Sequence, residues 1–99
     1  MYGAKFGHGS YHFHSGNVYE GSFYYNQRDG RGRLDYSNGN SYDGDWKLGV
    51  FSGHGVFQWA NGEQYEGEYV EGRRHGKGKY VFQNGSYYEG GWANGVQEG

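Results

Sequence analysis

The residues that could do chemistry in this 99-residue sequence recur too regularly to make one site. His12 and His14 have the spacing of same-face neighbours on a strand, which would let them share a metal ion. No metal site is expected, however, because His8 and His54 fall in a column otherwise held by Arg31 and Lys77, which reads as polar surface. The Gly-x-Gly elements beginning at Gly7, Gly30, Gly53 and Gly76 resemble phosphate-cradling loops, yet they lead into strands, and Gly78-Lys79 lacks the Ser or Thr and the helix that a nucleotide loop needs. A nucleophile, base and acid would have to come from one unrepeated cluster, whereas each Ser, His and Asp candidate occupies a repeated, solvent-facing position. No catalytic residue, no enzymatic activity and no cofactor is therefore expected. Arg73, Arg74, His75, Lys77 and Lys79 form the basic cluster, which could meet an acidic partner segment or a lipid headgroup. Glu66, Glu68 and Glu71 lie close by and reduce its field.

What positions these residues is a repeat. Tyr19, Tyr42, Tyr65 and Tyr88 are 23 residues apart, and the glycines keep the same phase. Residues 1–18 make a partial repeat, 19–41, 42–64 and 65–87 full repeats, and 88–99 a half repeat, all in one array. Only 33% of residues are hydrophobic, most of them aromatic, and 22 are Gly, so a conventional aliphatic core cannot be built. The fixed phase of Gly and Tyr argues against the disorder that such a composition otherwise suggests. The net charge of −2 gives no general attraction to nucleic acid or anionic lipid, and the absence of Cys excludes disulfide staples and thiolate chemistry. Neither end of the array carries an atypical capping sequence, which points to a piece of a longer array, a homo-oligomer or a component of a larger complex.

Within a repeat the pattern has period two, the signature of strands. Tyr42, Gly44 and Trp46 share one face, and so do Tyr19/Gly21/Phe23, Tyr65/Gly67/Tyr69 and Tyr88/Gly90/Trp92. In the second strand Gly55, Phe57 and Trp59 alternate likewise, as do Gly78, Tyr80 and Phe82. Turn signals fall at Ser15-Gly16, Asn38-Gly39, Asn61-Gly62 and Asn84-Gly85 between repeats, and from Asn26 to Gly30 or from Gly49 to Gly53 within them. Matching faces suggests a register with Tyr65 opposite Phe82, Gly67 opposite Tyr80 and Tyr69 opposite Gly78, each inner glycine covered by a ring. The same register sets Glu68 opposite Lys79 and Asp45 opposite Val56. The predicted fold is all-β with no helix: an elongated single-layer antiparallel β-meander, an open array of hairpins with about eight strands.

The motif Tyr-Glu-Gly-x-aromatic, then Gly-x-x-x-Gly-x-Gly, then aromatic-x-aromatic-x-Asn-Gly resembles the MORN (membrane occupation and recognition nexus) repeat over the whole chain. Asn26 replaces the glycine of Gly49, Gly72 and Gly95, and Asp43 replaces Glu. The resemblance implies a twisted meander with an aromatic groove, serving as a scaffold in cytoskeletal, ciliary or axonemal assemblies. The groove is expected to hold a helical or extended segment of a partner protein through Tyr19, Phe23, Tyr42, Trp46, Phe57, Trp59, Tyr65, Tyr69, Tyr80, Phe82, Tyr88 and Trp92. The alternative is peripheral membrane or phosphoinositide association through Arg73, Arg74, Lys77 and Lys79. Nucleic acid is not an expected partner, and an intracellular setting, cytoplasmic or cytoskeletal, is expected.

Overall fold

A computed structural model describes residues 7–93 and, as backbone, 96–98. Gly3, Gly95 and Gly99 of the repeat phase lie outside the described residues. Among the described residues nine strands follow one another in both sequence and space: β1 (Gly7–His12), β2 (Val18–Tyr24), β3 (Gln27–Asp35), β4 (Ser41–Lys47), β5 (Val50–Gln58), β6 (Gln64–Val70), β7 (Arg73–Val81), β8 (Tyr87–Ala93) and β9 (Val96–Glu98). Each pairs antiparallel with the next, giving one open sheet of 49 × 24 × 16 Å. The predicted meander is present, with a short β9 beyond the strands counted from the pattern.

Two kinds of turn alternate along the sheet. Within repeats the turns are two residues long, Tyr25-Asn26, Leu48-Gly49 and Glu71-Gly72, all with φ between 49° and 86°. Positive φ at both positions gives a turn whose twist matches that of the strands it joins. These turns sit earlier and are tighter than the expected spans from Asn26 to Gly30 and Gly49 to Gly53, so β5 already begins at Val50. Between repeats the Asn-Gly and Ser-Gly loops fall where expected. Gly39 N–H donates to Tyr36 O at 3.0 Å and Gly62 N–H to Trp59 O at 3.0 Å, with the glycines at φ 98° and 97°.

The register differs from the one expected by two residues. Tyr65 faces Tyr80, Gly67 faces Gly78 and Tyr69 faces Arg74; Lys79 stands opposite Glu66 and Glu89, and Val56 opposite Asp43. The cause is a bulge. Between Gly44 and Trp46 lies one residue, while Ser52, Gly53 and His54 lie between their partners Phe51 and Gly55. Gly53, at φ 75°, takes a backbone conformation that a side chain would strain, and Asp45 Oδ2 accepts the His54 N–H at 3.1 Å. Glu68 does the same for Lys77 N–H at 3.4 Å. These outer-face acids thus serve the backbone of the bulge, and Asp45 also meets the cross-strand Arg31 at 3.5 Å.

The shift brings glycine to glycine. Gly9, Gly21, Gly32, Gly44, Gly55, Gly67, Gly78 and Gly90 form one row across eight strands. Rings still cover them, but the covering ring leans along the sheet instead of standing opposite. Tyr42 lies over Gly44 and Gly55, so that a Cβ at Gly55 would fall on the Tyr42 hydroxyl and one at Gly44 on the Gly55 backbone. The hydroxyl reaches past them to donate to Asp45 O at 2.8 Å. Tyr19, Tyr65 and Tyr88 repeat that bond to Ser22 O, Glu68 O and Gly91 O at 2.8, 2.9 and 3.0 Å.

Candidate protein-binding face

Glycine leaves a floor low enough for a ring to lie flat, and the phenol that lies there satisfies its hydroxyl on the backbone. Tyr19, Tyr42 and Tyr65 consequently have no exposed surface at all. The aromatics at the end of the same strand and of the corresponding strand in the next repeat pack edge-on against them: Tyr42 meets Trp46 at 5.1 Å and Tyr69 at 5.4 Å between centroids, both near perpendicular. Trp46 Nε1–H donates to Gly32 O at 3.0 Å and Trp92 Nε1–H to Gly78 O at 3.2 Å. Burial pushes the Tyr65 phenol up to about 12 and places those of Tyr42 and Tyr69 far above the ordinary range. Tyr80 is pushed up to about 12 as well, by burial first and then by donating to Glu63 Oε1 at 2.8 Å. The sheet has made a core from one face, without a second sheet.

A further storey lies on top of it. Arg28, Phe51 and Arg74 hold the same place in successive repeats, just after the tight turn. Phe51 stacks on Tyr42 at 3.9 Å and 12°, and the Arg74 guanidinium carbon lies 5.8 Å over Tyr65 and 4.7 Å over Trp92. The Arg28 guanidinium carbon lies 4.8 Å over Trp46, and Arg28 Nη2–H donates to Gly49 O at 3.2 Å. These three side chains divide the face into depressions. One of about 420 Å³ is lined by Phe13, Phe23 and Arg28; one of about 200 Å³ lies between Arg28 and Phe51 with Tyr36 and Leu34; one of about 280 Å³ lies between Phe51 and Arg74 with Phe57 and Trp59.

The expected groove residues therefore divide into two sets. Tyr19, Tyr42, Tyr65, Trp46, Tyr69 and Trp92 are buried core. Phe23, Phe57, Trp59, Tyr80, Phe82 and Tyr88 are half-buried and border open space. Arg28 and Phe51 went unnoticed in the sequence, although a flat side chain recurring at 28, 51 and 74 is a signal of the same phase as the tyrosines.

The basic cluster is not one patch. Arg73 is exposed beside the turn and Arg74 is half-buried on the aromatic face, while Lys77 and Lys79 are exposed on the other face among Glu66, Glu68 and Glu89. His12 and His14 do not share a strand face either, since β1 ends at His12 and His14 belongs to the following turn. Among the described residues, no three His, Cys, Asp or Glu side chains are grouped to hold a metal ion. No helix there is long and apolar enough to cross a membrane.

The sequence profile of the MORN repeat matches residues 1–18, 19–41, 42–64, 65–87 and 88–99. The chain belongs to the MORN repeat family. MORN repeats are generally protein or membrane interaction modules, and the family is generally non-catalytic. Comparison with curated proteins gave no match. In this MORN array the tyrosines that head the three full repeats, Tyr19, Tyr42 and Tyr65, are core residues, and the storey above the core varies from repeat to repeat.

Proposed function

We propose that this MORN array is a non-catalytic scaffold that holds a segment of a partner protein along its aromatic face, inside the cell and in a cytoskeletal, ciliary or axonemal assembly. The observation that carries this reading is the run of depressions walled by Arg28, Phe51 and Arg74. It recurs from repeat to repeat, is mainly apolar between Arg28 and Arg74, and lies above a core that is already closed without it. The cellular setting is supported by the family resemblance.

Membrane attachment through Arg73, Arg74, Lys77 and Lys79 has less support, because two of the four cations stand on the opposite face beside three glutamates. Two double variants used as bait in an extract of the cells that make the protein test the choice. Phe51→Ser with Trp59→Ser should lose the proteins that the wild-type chain retains, and Lys77→Ser with Lys79→Ser should keep them. The reverse pattern, or flotation of the wild-type chain with anionic vesicles at low salt together with undiminished capture by the first variant, would overturn the proposal.

A further inference from the structure

Among the described residues, three loops between repeats carry the same Asn-Gly pair in the same hydrogen-bonded form, and one of them has an addition. Asn38, Asn61 and Asn84 each accept, on Oδ1, the N–H of the residue two positions on, from Asn40, Glu63 and Ser86, at 3.0 Å in all three. The glycines that follow, Gly39, Gly62 and Gly85, donate to the carbonyl three residues back at 3.0, 3.0 and 2.9 Å, with φ of 98°, 97° and 92°. The difference is a hydroxyl. Ser86 Oγ–H donates to Asn84 Oδ1 at 2.6 Å. At the matching place in the other two loops, Asn40 Oδ1 turns to the next loop and accepts Ala60 N–H at 2.8 Å, and Glu63 accepts from the Tyr80 hydroxyl and, at 3.3 Å, from Gln83 N–H. Asn84, Gly85 and Ser86 are all exposed, so water reaches them.

We infer that Asn84 is a site of spontaneous deamidation, with the Gly85 nitrogen as nucleophile and the Ser86 N–H and Oγ–H as an oxyanion hole. Two donors on one amide oxygen are what a developing oxyanion needs. The bond from Oδ1 to Ser86 N–H closes an Asx-turn, which folds the amide carbon back over the intervening Gly85 nitrogen. Glycine has no side chain to obstruct the approach. A hydroxide ion of the solvent takes the Gly85 amide proton, once it has left Phe82 O, and the nitrogen attacks Asn84 Cγ. Negative charge passes to Oδ1, where the two donors hold it. The Cγ–Nδ2 bond then breaks, and the nitrogen departs as ammonia with a proton from water. The succinimide that remains is opened by water at either carbonyl, giving aspartate or isoaspartate. No atom is oxidised or reduced, and water is the sole co-reactant. Release of the glycine N–H from its carbonyl is required equally at all three loops, so that cost cancels between them. Either product adds a carboxylate. Isoaspartate also adds a carbon to the backbone of the loop that joins β7 to β8, which Phe82 N–H closes on Ser86 O at 2.8 Å. The inference is independent of what the aromatic face holds.

The three loops serve as controls for one another. The full chain is incubated at mildly alkaline pH, and conversion of Asn38, Asn61 and Asn84 is followed site by site by peptide mass spectrometry. Asn84 should convert on the order of tenfold faster than either of the others, less than the ~10² that a buried oxyanion donor contributes, because water shares the oxyanion at an exposed loop. Ser86→Ala should bring Asn84 down to the rate of Asn61, and Ser86→Thr, which keeps the hydroxyl, should preserve the faster rate. In a chain unfolded by urea the three should convert at similar rates, since the pairing of hydroxyl and amide is lost. A rate at Asn84 no greater than at Asn61 in the folded chain, or one unchanged by Ser86→Ala, would overturn the inference. So would an advantage of Asn84 that persists in urea, which would belong to the local sequence and not to the folded loop.

Discussion

Repeats 42–64 and 65–87 share the same strands, register, glycine pair and buried tyrosine, and differ in what lies on that tyrosine. In the first it is a ring, Phe51, stacked on Tyr42 at 3.9 Å; in the second it is a guanidinium, Arg74, 5.8 Å above Tyr65. The comparison separates two demands. The fold needs something flat to exclude water from a phenol lying on glycine, and a ring or a guanidinium will do. Whether that flat group is neutral or charged is left to function.

The largest effect should come from the layer the two repeats share. Gly55→Ala puts a Cβ on the Tyr42 hydroxyl, and the displaced ring cannot sink elsewhere because the floor is backbone. A loss of about 3 kcal/mol or more is expected in urea or thermal unfolding, and the same for Gly78→Ala under Tyr65. Gly62→Ala, at a loop where no atom lies within 4 Å of the added carbon but φ is 97°, should cost only the backbone strain, about 1 kcal/mol. Equal losses at Gly55 and Gly62 would mean that the tyrosine is not held against the floor.

Alkaline pH should act next. Burial favours the neutral phenol, so the folded pKa of Tyr65, about 12, lies above the ordinary 10.0 of the unfolded chain. The stability this contributes is complete below pH 10 and is lost as pH rises from 10 to 12. The melting temperature should fall over that window, and a melting temperature unchanged from pH 10 to 12 would contradict the burial of Tyr65. Tyr42→Phe, which keeps the ring but deletes the bond to Asp45 O, should cost about 1 kcal/mol.

Much of this was legible in the sequence. The repeat phase, the sidedness of Tyr42, Gly44 and Trp46, and the Asn-Gly loops follow from alternation and turn chemistry alone. The register did not follow, because a bulge adds residues without disturbing the alternation: Phe51 and Gly55 have the same parity whether three residues loop out between them or not. Reading Gly49 to Gly53 as the turn then hid Phe51 in a loop and sent Arg74 to a surface patch. Two glycines four apart are equally good turn formers, and only the Asp45 carboxylate, shaped to take the His54 N–H, marks the second as a bulge.

The smallest change in stability should come from exchanging the upper storey. Phe51→Arg or Arg74→Phe should shift unfolding by less than about 1 kcal/mol, because a flat group still covers the phenol. A loss as large as that of Gly55→Ala would place Phe51 in the core and remove the distinction between storeys.

Hydroxyl-radical labelling of the aromatic side chains, read by mass spectrometry on the intact chain, tests that distinction most directly. Tyr42 and Tyr65 should stay unlabelled under conditions that label Phe51 and Trp59, with Tyr24 and Tyr25, 53% and 63% exposed, as the fully reactive reference. Labelling of Tyr42 and Tyr65 as fast as Tyr24 and Tyr25 would contradict the account, since the tyrosines would then face the solvent instead of lying closed between glycine and the groove.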